Sequence, residues 1–351
     1  MGFGSLLILS VLFAAQPQQS LSPPSAETVL GIPDELLGRL NEQVIDAGSS
    51  ADARLDLLAS FIFSADGLAF EYSNASTTTV AQTYANRHGN CLAFTLLFLA
   101  LAEKAGIEAV PREVFVPASW IQDGQTLFET GHVNVLVETE LRRAVVDFEP
   151  NPILSRRLSR ARRGVVISLD RALAHFYNNR AAEILAGEGP RAASDALAWS
   201  ETALELAPDF TPALNNRGVI EHRLGHGQTA QDYFEAALAR DSRNASTLFN
   251  LLQLRLERGQ IDEAERIIAR LEELPPDDPY FSWSMGRNYE SLGQLGLARR
   301  HYRQALIDHP DNERFAQDFA RINKSTTDRA LSGAPFDFEG SKRESFSKAL
   351  N

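Results

Sequence analysis

Apolar residues recur with the period of an α-helix in two segments over 32–63. The segments IPDELLGRLNEQVIDAG and SSADARLDLLASFIF place apolar residues three and four positions apart, which predicts two amphipathic helices. A third and far more apolar helix is predicted over 91–106, because Gly89 and Asn90 form a turn and N-cap signal before it and Ala-Gly ends it. HVNVLVETE alternates with a period of two and predicts a strand, and RRAVVDFEP follows it. Residues 32–152 are therefore predicted to form one α+β domain.

The second half of the chain repeats with a period of 34 residues. Gly225, Gly259 and Gly293 are 34 apart, and alanines keep the same spacing at 196, 230, 264 and 298. Each period contains two helical patterns. A fixed period of this length indicates stacked helix-turn-helix units.

The repeated residues resemble the tetratricopeptide repeat. The last unit carries the resemblance best, with Met285, Gly286, Tyr289, Gly293, Ala298, Tyr302, Ala305 and Pro310. The resemblance implies about four units and a capping helix over 174–324, wound into an all-α superhelix whose groove binds a protein or peptide. We expect the groove to use residues of the first helix of each unit, namely Asn178, Asn215, Asn216, Arg217, Phe249, Asn250 and Asn288. The alternative is that these asparagines only tie neighbouring helices together.

Cys91 is the one cysteine of the chain and falls in the first turn of the apolar helix. A thiol attacks as the thiolate, which the positive end of a helix dipole favours. Free backbone N–H groups in that turn could also hold an oxyanion. Gln82 and Asn86 are further candidates for the oxyanion site, unless they only cap helices. A lone cysteine is otherwise most often a small buried hydrophobe.

His132 and Asp147 are the candidate partners of this thiol. The runs HVNVLVETE and RRAVVDFEP could pair as a hairpin that turns at Thr139 and Glu140. The numbers of two paired residues would then add up to 279, which places His132 opposite Asp147. Opposed residues share a face of the sheet, with Cβ atoms about 5 Å apart. The carboxylate could then hold the imidazole while the second ring nitrogen faces the thiol.

The segments HGNCLAFTLLFLALAEKAGIEA, GHVNVLVE and AVVDFEP resemble the core of the transglutaminase-like superfamily of thiol enzymes. The resemblance implies a papain/transglutaminase-like α+β fold in which Cys91 is the nucleophile, His132 the general base and acid, and Asp147 the orienting carboxylate. It implies hydrolysis or acyl transfer at a peptide-type amide, with no cofactor. Asn134 departs from the family pattern, in which an aromatic residue is commoner there. The alternative is an inactive domain on a repeat scaffold that only binds partners.

Composition narrows the classes of partner. A net charge of −12 argues against nucleic-acid binding. The basic run SRRLSRARR, within 153–173, is interpreted as a solvated linker. His222 and His226 are spaced as a metal pair but lack a third ligand, so we expect no metal site.

The first residues predict export. Residues 1–15 contain the apolar run GFGSLLILSVLFAA, whose length suits the h-region of a secretory signal or an N-terminal anchor. Residues 16–31 are expected to be a linker, and the polar tail 325–351 to be disordered. A bacterial periplasmic or membrane-associated protein is the expectation. If the apolar start is not a signal, the protein is cytoplasmic.

Overall fold

The first half of the chain combines helices with a small sheet. The computed structural model describes residues 22–73, 77–123, 126–148, 164–187, 191–275 and 279–331. Its first helices are α1 (Ala26–Leu30), α2 (Asp34–Leu40, extended by a π-helical turn over Asn41–Ile45), α3 (Ala51–Phe63), α4 (Val80–Asn86) and α5 (Cys91–Lys104). The helices that the sequence predicts over 32–65 and 91–106 are present.

In the part of the chain that the structure describes, six strands accompany these helices. They are β1 (Glu71–Tyr72), β2 (His88–Gly89), β3 (Glu108–Asp123), β4 (Thr126–Glu138), β5 (Arg143–Val146) and β6 (Gly164–Val166). The short pair β1–β2 is parallel. The other four strands form an antiparallel sheet in the order β5-β4-β3-β6.

Helix α5 is the centre of the first half. Every residue from Leu92 to Ala102 is buried, because this helix is apolar on all sides and needs cover on all sides. It packs against α3, α4, β3 and β4. Since α5 begins at Cys91, the core fixes the position and direction of the end that carries the thiol.

The second half is built of paired helices. They are α6 (Leu169–Ala186), α7 (Ala192–Leu206), α8 (Thr211–Arg223), α9 (Gly227–Arg240), α10 (Ala245–Glu257), α11 (Ile261–Glu272), α12 (Pro279–Ser291), α13 (Leu295–Asp308) and α14 (Glu313–Leu331). The glycines at 225, 259 and 293 all have positive φ, just past the ends of α8, α10 and α12. The period of 34 therefore marks the turn inside each unit, where glycine adopts the left-handed conformation most easily.

Small residues let the two helices of a unit approach closely. A Cβ added at Gly286 of α12 would lie 2.7 Å from the ring of Tyr302 on α13. Tyr302 is fully buried, and Ala298 and Ala305 beside it are buried too. The aromatic ring fills the gap that the glycine leaves, and Gly218 of α8 meets the ring of Phe234 on α9 in the same way.

The first repeat helix, α6, is packed onto the α+β half. Phe176 and Tyr177 belong to the same hydrophobic cluster as α5, and the Tyr177 hydroxyl donates to the Pro24 carbonyl at 2.7 Å. Glu113 of β3 accepts hydrogen bonds from Arg171 and His175, each at 2.7 Å. One continuous core therefore joins the sheet to the start of the repeats.

Two expected segment boundaries differ from the structure. Within the predicted linker 153–173, β6 and the start of α6 occupy 164–173, and the rest lies outside the described residues. Helix α14 runs to Leu331, past the start of the predicted tail at 325. The expected signal and most of the following linker, residues 1–21, lie outside the description. Among the helices described, none is long and apolar enough to cross a membrane.

Candidate functional site

Cys91 is the first residue of α5 and is half-buried. Asn90 caps the helix, because its side-chain oxygen accepts the amide of Ala93 at 2.9 Å. Phe94 donates its amide to the Asn90 carbonyl at 3.0 Å. The amides of Cys91 and Leu92 precede this first helical hydrogen bond and point out of the helix end. The thiol therefore lies beside two backbone donors and the positive end of the dipole.

His132 of β4 binds the carboxylate of Asp147. Its Nε2 lies 2.8 Å from Oδ1 and 3.0 Å from Oδ2. His132 is 7% exposed, and the Asp147 side chain is 18% exposed. Asp147 occupies Nε2 and leaves Nδ1 as the second ring nitrogen, and Cys91 is near enough to His132 to raise its pKa. His132 and Asp147 are therefore in direct contact, and Cys91 is a neighbour that acts on the same imidazole.

The hairpin register differs from the predicted one by two residues. Val135 pairs with Val146 and Glu138 with Arg143, so that paired positions sum to 281 and not to 279. Asp147, the next residue after β5, therefore follows in line with Asn134 and lies diagonal to His132. A shift of two residues preserves the face of the sheet, which is why the predicted contact forms in spite of the wrong register. The turn is longer than assumed: Thr139 donates its amide to the Arg142 carbonyl at 2.8 Å.

The neighbours of His132 favour its protonated form. Burial by itself would lower the pKa of His132, but the hydrogen bonds and charges of Asp147 and Cys91 outweigh it and raise the pKa to about 10. The imidazole is therefore cationic at neutral pH, between a carboxylate and a sulfur.

Two residues that the sequence reasoning did not assign to the site hold Asp147. Asn134, which is 3% exposed, donates Nδ2 to Asp147 Oδ2 at 2.9 Å. Phe148 packs its ring 4.9 Å from that of Phe94 on α5, and it also contacts Phe63, Phe70 and Tyr72. The sequence signal for Phe148 was an aromatic residue directly after Asp147. The signal for Asn134 was its position two residues after His132, which places both on the same face of a strand.

The two side chains proposed for the oxyanion site are on α4. Gln82 closes a capping box with Thr79, since its Oε1 accepts the Thr79 amide at 3.1 Å and the Thr79 hydroxyl accepts the Gln82 amide. Asn86 is exposed, and its carbonyl is 2.9 Å from Nδ1 of His88. The contact of Gln82 is thus that of a helix-capping residue, which is the alternative to a role in the oxyanion site.

The asparagines of the repeats form a chain of hydrogen bonds across successive first helices. Asn216 of α8 donates to Asn178 of α6 at 2.9 Å, and Asn250 of α10 donates to Asn215 at 2.9 Å. Asn215 and Asn216 are themselves 3.4 Å apart through Nδ2 and Oδ1. These contacts match the alternative in which asparagines tie neighbouring helices together. Asn216 and Asn250 are only partly buried.

The remaining groove candidates differ in accessibility. Arg217 is buried and bonds to Glu221 at 2.8 Å and Glu201 at 3.2 Å. Asn288 is buried and donates to the carbonyl of Ser284. Phe249 is half-buried, with its ring 5.4 Å from that of Phe281. Arg217 and Asn288 are thus buried and hydrogen-bonded within the repeats, whereas Phe249 keeps an accessible part.

The two histidines with metal-like spacing each bind a carboxylate. His222 Nε2 lies 2.6 Å from Glu257, and His226 Nδ1 lies 2.8 Å from Glu221. Within the described part of the chain, no group of three or more His, Cys, Asp or Glu residues could hold a metal ion.

Comparison with known proteins finds one family match within the helical half. Residues 222–282 match the tetratricopeptide repeat family. The chain therefore contains tetratricopeptide repeats, which typically bind protein or peptide partners. The family match does not extend to the first half of the chain, and the comparisons show no transglutaminase-like domain there.

Several solved structures are similar to about half of this chain. A thermophilic tetratricopeptide repeat protein of Thermus thermophilus is 21% identical over 50% of this chain and 98% of its own, with a TM-score of 0.38. The Pseudomonas aeruginosa protein pilF is 17% identical over 51% of this chain and 77% of its own, with a TM-score of 0.40. YrrB, a repeat protein with an unusual peptide-binding site, is 20% identical over 50% of this chain and 84% of its own, with a TM-score of 0.32. No functionally curated protein matches the chain.

Proposed function

We propose that this protein is a thiol hydrolase or acyltransferase that acts on peptide-type amides, with tetratricopeptide repeats that bind its protein partner. The observation that carries the proposal is the 2.8 Å contact of His132 Nε2 with Asp147 Oδ1, together with the nearness of Cys91, which raises the pKa of the same imidazole. An imidazole between a sulfur and a carboxylate is the arrangement that activates a thiol nucleophile.

The reaction follows from the groups present. The sulfur of Cys91 attacks the amide carbonyl carbon, and the developing oxyanion is held by the free amides at the start of α5. Protonated His132 gives its proton to the leaving amine as the C–N bond breaks, which leaves a thioester on Cys91 and a neutral imidazole. Water or a second amine then attacks the thioester while His132 accepts its proton, and the thiolate is released.

The alternative is a repeat scaffold that binds proteins without chemistry. It is favoured by the family match, which covers repeat residues 222–282, and by Asn134 at a position where the resembling enzymes more commonly carry an aromatic residue. The two functions differ in what they require of Cys91, because a scaffold needs no reactive thiolate.

Alkylation of Cys91 by iodoacetamide at pH 7 distinguishes these functions. We expect rapid labelling of the native protein, and a rate at least about tenfold lower in His132→Ala, because the thiolate loses its cation. His88→Ala is the matched control: His88 is three residues before Cys91, but it is exposed and bonds to the Asn86 carbonyl. Equal, slow labelling of the native protein and His132→Ala, with labelling only on unfolding, would establish the scaffold.

Partner binding by the repeats is tested with a photo-reactive residue at position 253. Gln253 is exposed on α10 and lies three residues after Asn250, on the same side of the helix. The control is position 307 on the second helix of the last unit, where Ile307 is 59% exposed. Cross-linking of a protein from position 253 and not from 307 is the expected result, and equal yields from both would contradict a groove site.

Export is proposed on the apolar run of residues 2–15. A fusion of residues 1–31 to a reporter that folds only outside the cytoplasm tests it. Activity of this fusion, and its loss when Leu6 and Leu7 become arginine, is expected. Activity that is absent in the native fusion would favour a cytoplasmic protein.

A further inference from the structure

Asn134 is on the strand that carries His132 and faces the end of the strand that leads to Asp147. It is on β4, two residues after His132, and the ladder continues so that Asp147 follows opposite it. Its Nδ2 donates to Asp147 Oδ2 at 2.9 Å. His132 contacts the same carboxylate from the neighbouring position, 2.8 Å from Oδ1. Asp147 therefore receives two donors from one strand, on one face.

The other half of the Asn134 amide is left without a partner. Its Oδ1 is buried and accepts no hydrogen bond from any residue that the structure describes. A buried, unpaired carbonyl oxygen costs free energy. Turning the amide over would place that oxygen against the carboxylate of Asp147 and add repulsion between like partial charges. The side chain is therefore fixed with its donor toward Asp147, in spite of the cost at its acceptor.

Among the described residues, no lysine or arginine takes the place of Asn134 against Asp147. The β3 ladder puts Arg112 opposite Asn134, but the Arg112 guanidinium lies against Gly164 of β6. A neutral donor on Asp147 leaves the charge of the carboxylate available to the imidazole, whereas a guanidinium would compete for it. Asn134 is thus suited to orient the carboxylate without neutralising it.

We infer that Asn134 is a positioning residue of the proposed thiol reaction. It holds the Asp147 carboxylate in the orientation that binds His132, and so acts on Cys91 through Asp147 and His132. This inference rests on the proposed function. It goes beyond the three residues of the triad and gives a role to the residue at which this chain departs from the family pattern.

A double-mutant cycle on the rate of Cys91 alkylation at pH 7 tests the inference. Asn134→Leu keeps the volume and removes the donor. It is expected to lower the rate about fivefold in the native background, and to have no further effect in Asp147→Asn, because a residue that acts only through Asp147 has nothing left to orient. Circular dichroism on each variant checks that it is folded.

Thr95→Val is the matched control. The Thr95 hydroxyl of α5 is also buried without a partner in the described structure, but it has no contact with His132 or Asp147 among the hydrogen bonds of the site. Its removal should leave the alkylation rate unchanged. If Asn134→Leu does not fold, Asn134→Ser and Asn134→Ala replace it. They differ by one hydroxyl donor, and serine should label faster.

Three results would overturn the inference. An unchanged rate in Asn134→Leu would show that the donor has no role. An equal fall in the native and Asp147→Asn backgrounds would show a structural effect that does not pass through Asp147. Slow labelling that is equal in the native protein and His132→Ala would remove the thiol reaction itself, and that result is distinguishable because it needs no Asn134 variant.

Discussion

His132 and Asp147 bind each other diagonally across two strands, with 2.8 Å between Nε2 and Oδ1. The residue in line with Asp147 is Asn134, as the pairing of Val135 with Val146 requires. Diagonal neighbours on one face are within reach of long side chains. This geometry leaves room for Asn134 as a second donor to the Asp147 carboxylate. It also makes the contact between His132 and Asp147 depend on the packing of Phe148, just after β5, against Phe94.

Replacement of Asp147 should remove stability that depends on the charge of His132. The pKa of His132 is raised to about 10 in the folded protein, against an ordinary value of 6.5. The stabilisation from the imidazolium is therefore complete below pH 6.5 and is lost as the pH rises toward 10. We expect Asp147→Asn to cost about 1–3 kcal/mol at pH 6 and much less at pH 10, measured by urea unfolding. Asp311→Asn, in an exposed turn, should change little at either pH. A cost independent of pH would contradict the prediction.

Replacement of Glu113 should loosen the junction between the sheet and α6. Burial by itself would raise the pKa of Glu113, but hydrogen bonds from His175 and Arg171 lower it to about 2, from 4.5. The ionised carboxylate thus stabilises the fold above pH 4.5, and this contribution is lost as the pH falls toward 2. Glu113→Gln should cost about 2 kcal/mol at pH 7 and progressively less below pH 4.5, in urea unfolding curves. Glu108→Gln, exposed on the same strand, is the control, and an equal cost in both would argue against the junction.

Replacement of Phe148 should affect both stability and the thiol. Its ring packs on Phe94, 4.9 Å between centroids, and it directly follows Asp147. Phe148→Ala should cost about 2–4 kcal/mol in unfolding free energy and slow alkylation of Cys91. Val145→Ala, on the same hairpin but 48% exposed, should cost less than about 0.5 kcal/mol. Loss of stability with an unchanged labelling rate would show that the aromatic cluster does not position Asp147.

Replacement of Gly286 tests the close helix crossing in the last repeat. An added Cβ would lie 2.7 Å from the Tyr302 ring, which cannot move because it is fully buried. Gly286→Ala should destabilise the protein by about 1–3 kcal/mol. Gly296→Ala on α13 meets nothing within 4 Å and should stabilise it by up to about 1 kcal/mol. Thermal unfolding of the two variants checks the contrast, and a fall of similar size in both would show that crowding is not the cause.

The sequence by itself determined the repeats and the start of α5. The period of 34 appears in the structure as positive-φ glycines at 225, 259 and 293, because the left-handed conformation favours glycine and the glycine recurs once per unit. The capping side chain of Asn90 and the apolar run after it place Cys91 at a helix start, since these signals act within a few residues. Local chemistry of this kind can be predicted without knowing the fold.

Only the tertiary structure decided the register of the hairpin and the use of the asparagines. The register is set by the length of the turn after Thr139 and by Phe148 against α5, and the latter is a contact between segments about fifty residues apart in sequence. Asn134 could be given no role from the sequence because its partner depends on that register. Asn178 and Asn216 bind each other across helices, as do Asn215 and Asn250. The sequence left this open because the distance between neighbouring helices depends on how complete repeats stack.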